Sequence, residues 1–316
     1  MPTTEEILSG AINNLHTLKG HIFDFVQLKT PDSANLEASF SLIISKLSPL
    51  LGNVIEFKCC EELNKKEIKE ADGKWVRRDP GFPDVVFQSS IEPLPGIEIK
   101  AWFPLSTEIT ARFKESQADL QNDNINVAIV AWIPEFIVYG SPYILDIATF
   151  SALSIAKARD SHYHNPPNYL VLEPEETSHR AQNTQQFTTT GYVLQMTSSP
   201  ECLAYTKELL EEKEYSCSSD YQKLVRQLRD KIRTECSIEY RLDTNYAKMD
   251  RIGHRGINDF KEKILNTIYK GKKIKEWAKI VSKIAKSGGS VQENDESSSN
   301  FSFARYFENY SNDNSD

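Results

Sequence analysis

The chain has 316 residues, 39% of them apolar and 26% charged, the usage of a globular protein large enough for one big domain or two small ones. A net charge of -8 argues against nucleic-acid binding over the whole surface, yet binding depends on where charges lie, and residues 261–286 hold nine lysines against two glutamates. No apolar run approaches the ~20 residues that cross a bilayer, the first residues are too polar for a signal peptide, and five cysteines without a C-x-x-C spacing argue against a disulfide framework or structural zinc, so the expected compartment is a reducing cytoplasm.

Thr4 to Leu18 predicts a helix, with Thr4 as cap and Ile7, Ala11, Leu15 and Leu18 on one face. A second helix is predicted after Ser33, with Leu36, Phe40, Ile43, Ile44 and Leu47 as its apolar face and an end near Pro49 or Gly52. Asn53 to Cys60 reads as a strand, and Glu61 to Arg78 is charged and ambiguous. Two short apolar runs follow, Asp84 to Gln88 and Gly96 to Phe103, separated by Ser89, Ser90, Pro93 and Pro95, which punctuate a hairpin. Ser106 is placed as the cap of a helix reaching Leu120, and Asn126 to Ile133 as a strand buried on both faces. Ile144 to Arg159 reads as a further helix and Tyr192 to Met196 as a strand. Helices are expected to dominate 201–286, and 287–316 reads as disordered, although Phe301, Phe303, Tyr306, Phe307 and Tyr310 would suit a short docking helix. The expected division is 1–32 as an N-terminal helical segment, 33–135 as the core, 136–200 as its continuation, 201–286 as a helical basic region and 287–316 as a tail.

The chemistry concentrates in Gly81-Phe82-Pro83-Asp84 and Gly96-Ile97-Glu98-Ile99-Lys100. Side chains alternate along a strand, so Glu98 and Lys100 share a face that excludes Ile97, Ile99 and Ala101. A hairpin folding symmetrically near Pro93 sets Asp84 opposite Lys100, with Glu98 one diagonal step away. Two adjacent carboxylates repel unless neutralised. Mg²⁺ suits such a pair, and in it can activate water for attack on a phosphate. Lys100 would orient that water or hold a phosphate oxygen, and the carbonyl of Ile99 is a further candidate ligand. The plain alternative is a surface hairpin with an exposed Glu and Lys pair.

Pro83-Asp84 followed by Glu98-Ile99-Lys100, within a helix–strand–strand–strand–helix–strand order over residues 33–133, resembles the PD-(D/E)xK nuclease superfamily, and within it a type II restriction endonuclease. The resemblance implies an α/β fold with a restriction-endonuclease-like αβββαβ core, a mixed sheet flanked by helices and a largely helical C-terminal part. It implies Mg²⁺-dependent cleavage of double-stranded DNA leaving 5′-phosphate ends, with Asp84, Glu98 and Lys100 catalytic and Asp84, Glu98 and the Ile99 carbonyl on the metal. It also carries over Glu37, on the helix before the first strand, as a weaker metal candidate. A homodimer is implied for cutting a palindrome, as is a cognate DNA methyltransferase as functional companion. Other readings are a repair or recombination nuclease on the same core, or a non-enzymatic DNA-binding or interaction protein.

Candidates for contacting DNA are His162, His164 and Asn165, then Arg180, Gln182, Asn183 and Gln185, residue types that read base edges, and Lys223, Arg226 and Arg229 along one helical face. A polar surface loop and a solvated helix face are the plain alternatives. There is no Gly-rich loop ending in Gly-Lys-Ser or Gly-Lys-Thr, no H-E-x-x-H and no Gly-x-Ser-x-Gly.

Overall fold

Thr3 opens the first helix as a capping box, its hydroxyl accepting from the Glu6 amide while the Glu6 carboxylate accepts from the Thr3 amide. The computed structural model describes residues 2–65, 72–78, 81–106, 108–117, 119–162, 192–194, 240–242, 247–287 and 301–313, with single positions between 220 and 235. It divides into two compact units, Met1–Ile109 with Asn126–Thr149 and Asp259–Asp316, and Thr110–Ile125 with Phe150–Asn258. Among the described residues no single helix is long and apolar enough to cross a membrane.

The chain is α/β, with a five-stranded mixed sheet flanked by helices. Helices α1 (Thr4–His16) and α2 (Ala34–Leu63) precede strands β1 (Gly73–Arg77), β2 (Val85–Ser89), β3 (Gly96–Trp102), β4 (Ile125–Pro134) and β5 (Pro142–Ser151), which lie side by side in chain order. Ser33 caps α2 as expected, accepting from the Leu36 amide. The expected strand at Asn53–Cys60 is instead the end of α2. Leu51, Ile55, Cys59 and Leu63 recur every four residues and are all buried, which is a helical period. Pro49 does not end the helix but bends it. Proline has no N–H for the carbonyl of Ser45 and its ring crowds that carbonyl, and the segments Ala34–Ile44 and Lys46–Leu63 meet at 64°.

The first strand therefore comes from the stretch left ambiguous by the sequence. Trp75 faces Phe87 across the β1–β2 ladder, ring centroids 5.3 Å apart, and a Cβ on Gly73 would sit 2.6 Å from that Phe87 ring. Asn64, at the end of α2, clamps β1 by accepting from the Trp75 amide at 2.9 Å and donating to its carbonyl at 2.8 Å. Strand β4 is buried on both faces along Val127–Ile133, as its continuous apolar run predicted. The expected helix at 144–159 is strand β5 followed by α3 (Ala152–His162).

The expected helix from Ser106 to Leu120 is absent. Pro104–Ser106 forms one 3₁₀ turn, and the residues beyond it are held in extended pairing. The Phe113 amide donates to the Ala247 carbonyl at 2.7 Å and the Met249 amide to the Ala111 carbonyl at 2.8 Å, which removes both from a helical ladder. The order is thus helix, three strands, strand, strand, helix, without the helix expected between the third and fourth strands.

After β6 (Tyr192–Leu194) and β7 (Tyr240–Leu242) come α4 (Arg255–Asn266), the hairpin β8 (Ile268–Tyr269) and β9 (Lys272–Lys273), and α5 (Ile274–Ser287). Lys270 and Gly271 both have positive φ, the two-residue turn that matches strand twist, and a Cβ on Gly271 would meet the Tyr306 hydroxyl at 2.8 Å. The expected disordered tail contains α6 (Phe303–Asp313). Phe303 and Phe307 are buried, their rings 6.1 and 5.6 Å from Trp277, so burying large aromatic area outweighs the polar composition around them.

Candidate active site

Val85 pairs with Ile97 and Val86 with Gly96, so continuing the ladder by one residue sets Asp84 opposite Glu98. The expected register, with Asp84 opposite Lys100, is two residues out along β3, because the hairpin centres on Ile91 and not near Pro93. This register sets the two acidic residues directly across from each other. The Asp84 amide donates to Glu98 Oε2 at 3.1 Å, and Asp84 Oδ2 accepts from the Ile99 amide at 2.6 Å. The Arg78 amide donates to the Asp84 carbonyl at 2.8 Å, so Asp84 is gripped from β1 as well. Glu98 Oε1 accepts from Lys100 Nζ in an ion pair, as alternation along one strand face requires. Ile99 thus meets Asp84 through its N–H.

The pair is not an exposed surface hairpin. The Glu98 side chain is 9% exposed and that of Lys100 19%, because β3 is central in the sheet. Burial lifts the Glu98 pKa, the Lys100 ammonium pulls it back and the Asp84 charge raises it again, leaving it above the ordinary value. For Lys100 burial acts to lower the pKa, but the charges of Glu98 and Asp84, the hydrogen bond to Glu98 and the charge of Glu56 outweigh it, and the ammonium is held.

Glu56 was missed by sequence reasoning. It lies on α2, and its carboxyl is pushed up to about 7, first by burial and then by the charge of Asp84, with Lys100 opposing and Glu98 adding. The buried i, i+4 period through Ile55 and Cys59 was the signal that would have put it on a helix rather than a strand. Glu37, the weaker metal candidate, is elsewhere engaged. Its buried carboxylate caps α6, accepting from Ser302 Oγ at 2.8 Å, the Phe303 amide at 3.0 Å and the Ala304 amide at 3.0 Å. That use takes the Glu37 carboxylate out of the candidate metal ligands, and the α2 glutamate whose charge acts on Asp84, Glu98 and Lys100 is Glu56.

No protein-family model, curated protein or solved structure matches the chain.

Three carboxylates, Glu56, Asp84 and Glu98, thus share their surroundings with the Lys100 ammonium, and Arg77 contributes less. An excess of buried negative charge suits a divalent cation. Among the described residues no three His, Cys, Asp or Glu side chains gather into a cage for such a cation. Asp84 and Glu98 are the side chains that would hold it, with Lys100 giving up Glu98 Oε1.

His164, Asn165, Arg180, Gln182, Asn183, Gln185, Arg226 and Arg229 lie outside the described residues. His162 ends α3, and Lys223 is at an exposed helical position. In the second unit, Ser154 Oγ lies 3.2 Å from His254 Nε2, a spacing that suggests nucleophile and base. But His254 Nδ1 accepts from the Ile257 amide at 3.3 Å, so Nε2 carries the proton and donates. That tautomer cannot take a proton from Ser154. Burial also lowers the His254 pKa, and the imidazole acts as a cap at the start of α4.

Proposed function

We propose that this chain is a Mg²⁺-dependent DNA endonuclease with Asp84, Glu98 and Lys100 at its centre. The observation that carries the reading is the bonding of Asp84 and Glu98 across β2 and β3, with Lys100 on the Glu98 carboxylate, all within a low-dielectric sheet interior. A bound Mg²⁺ would lower the pKa of a coordinated water and stabilise charge on the phosphate. Asp84 and Glu98 hold their carboxylates in place through the backbone of the neighbouring strand. Lys100 keeps its proton and can donate to a phosphate oxygen. Glu56, with a pKa near neutrality, is matched to accept the proton that the attacking water loses. Water attack at phosphorus with the 3′-oxygen leaving gives 5′-phosphate and 3′-hydroxyl ends.

The finer reading is a type II restriction endonuclease acting as a homodimer, since two-fold symmetry pairs one active site with each strand of a palindrome. It carries with it a methyltransferase that protects host DNA. Incubation of the purified chain with phage DNA, with and without Mg²⁺, followed by end mapping, tests both levels. Discrete fragments with 5′-phosphates that appear only with the metal are expected. Random fragments would keep the nuclease and remove site specificity, and intact DNA at every Mg²⁺ concentration would remove both.

A further inference from the structure

A groove of about 700 Å³ lies in the first unit between α2, the Pro104–Ser106 turn and α5. Ile44, Phe103, Leu105 and Val281 give it an apolar wall, and one edge is a row of lysines on α5, Lys275, Lys279, Lys283 and Lys286. All four are exposed, and the lining contains no aspartate or glutamate. Lys275 donates to Asn266 Oδ1 at 2.8 Å, while Lys279, Lys283 and Lys286 have no side-chain partner among the described residues. A protein of net charge -8 has thus gathered unopposed positive charge along one helix edge.

We propose that this groove binds the sugar–phosphate backbone of one DNA strand, with the α5 lysines on successive phosphates. The inference rests on the nuclease reading and gives it a substrate track. Charge complementarity selects an extended polyanion. At 1.5 Å per helical residue the row runs about 16 Å, the rise of about five phosphates on one strand of duplex DNA. Lysine is a mobile point charge suited to sequence-independent phosphate contact, and the apolar wall faces the C–H surface of the sugars. The groove also begins where β3 ends. Phe103 is five residues beyond Glu98, so at ~3.3 Å per extended residue the wall starts within about 17 Å of the acidic pair. An acidic protein segment would satisfy the charge, but nothing about it calls for a place on the strand that carries Glu98 and Lys100.

The test is binding of a fluorescein-labelled 30-base-pair duplex in EDTA, followed by anisotropy at several salt concentrations, for the full chain and for K279Q/K283Q. A tenfold or greater loss is expected, with the slope of log affinity against log salt reduced by about two, while K279R/K283R and K29Q/K157Q, whose lysines do not line the groove, stay within about threefold of the parent. Equal affinity of K279Q/K283Q and the parent, or an equal loss in K29Q/K157Q, would overturn the proposal. So would poly-L-glutamate displacing the duplex at matched charge as well as unlabelled DNA does. Plasmid cleavage measured in parallel separates the two inferences. DNA affinity lost in K279Q/K283Q while the parent never cuts supports the groove against the nuclease reading, and cutting by K279Q/K283Q at unchanged KM removes the groove and keeps the nuclease.

Discussion

The backbone N–H of Asp84 donates to the Glu98 carboxylate at 3.1 Å, and the Asp84 carboxylate takes the N–H of the residue after Glu98. Each acid is therefore fixed by the strand that carries the other. Glu98 is also a structural residue, buried and satisfying both an amide and the Lys100 ammonium. Glu98→Ala leaves both unpartnered and should cost roughly 3 kcal/mol, whereas Glu98→Gln keeps the acceptor for the Asp84 amide and should cost about 1 kcal/mol. Urea unfolding of the two variants measures the difference. Alanine tolerated as well as glutamine would mean that these bonds are not formed in solution.

Glu56 makes stability depend on pH. Its folded pKa, about 7, lies above the ordinary 4.5, so the folded state keeps a proton that the unfolded chain releases in between. Stability is then greatest below about 4.5 for this group and declines as pH rises to about 7, by on the order of 2 kcal/mol after allowing for partial solvent screening. Thermal unfolding in EDTA from pH 5 to 8 should show the decline in the parent and a flatter profile in Glu56→Gln. Added Mg²⁺ should recover the parent at pH 8, since a cation replaces the lost proton as neutralising charge. Identical profiles for parent and variant would place the Glu56 carboxyl in ordinary solvent.

The two helix glutamates should separate cleanly. Glu37→Gln loosens the cap of α6 and should lower stability by about 1 kcal/mol with cleavage per folded molecule unchanged. Glu56→Gln should hold its stability at neutral pH and lose cleavage by about tenfold or more. Limited proteolysis reports release of α6, and a plasmid assay reports cutting. The reverse pattern would return Glu37 to the metal site.

The sequence made the acidic pair legible because strand alternation and the Pro83-Asp84 with Glu98-Ile99-Lys100 spacing need only local information. It also made β4 legible through an unbroken apolar run. It misled where one local signal outranked a longer one. Pro49 and Gly52 looked like an ending, which hid the period through Leu63 and with it Glu56. Residues 106–120 have a helical apolar spacing, but backbone pairing with Ala247 and Met249, over 130 residues away, overrides it. The fate of Phe303 and Phe307 was set by Trp277 and Glu37, partners that no local window contains.

Site preference is expected to lie in residues 162–185. Replacing Gln182, Asn183 and Gln185 by alanine should broaden the set of cut sequences, by about 1–3 kcal/mol of lost discrimination per base contact, while affinity for non-cognate duplex is kept. Fragment-end sequencing of cut phage DNA reads this directly, and an unchanged set of ends would make that stretch a polar loop.

The most direct measurement is single-turnover cleavage of supercoiled plasmid by the parent chain and by Asp84→Asn, both with Mg²⁺ in excess and both verified as folded by circular dichroism. The parent should nick and linearise the plasmid, and Asp84→Asn should do so at a rate at least about a hundredfold lower, since charge stabilisation at the metal is worth several kcal/mol. Equal rates in the two proteins would contradict it.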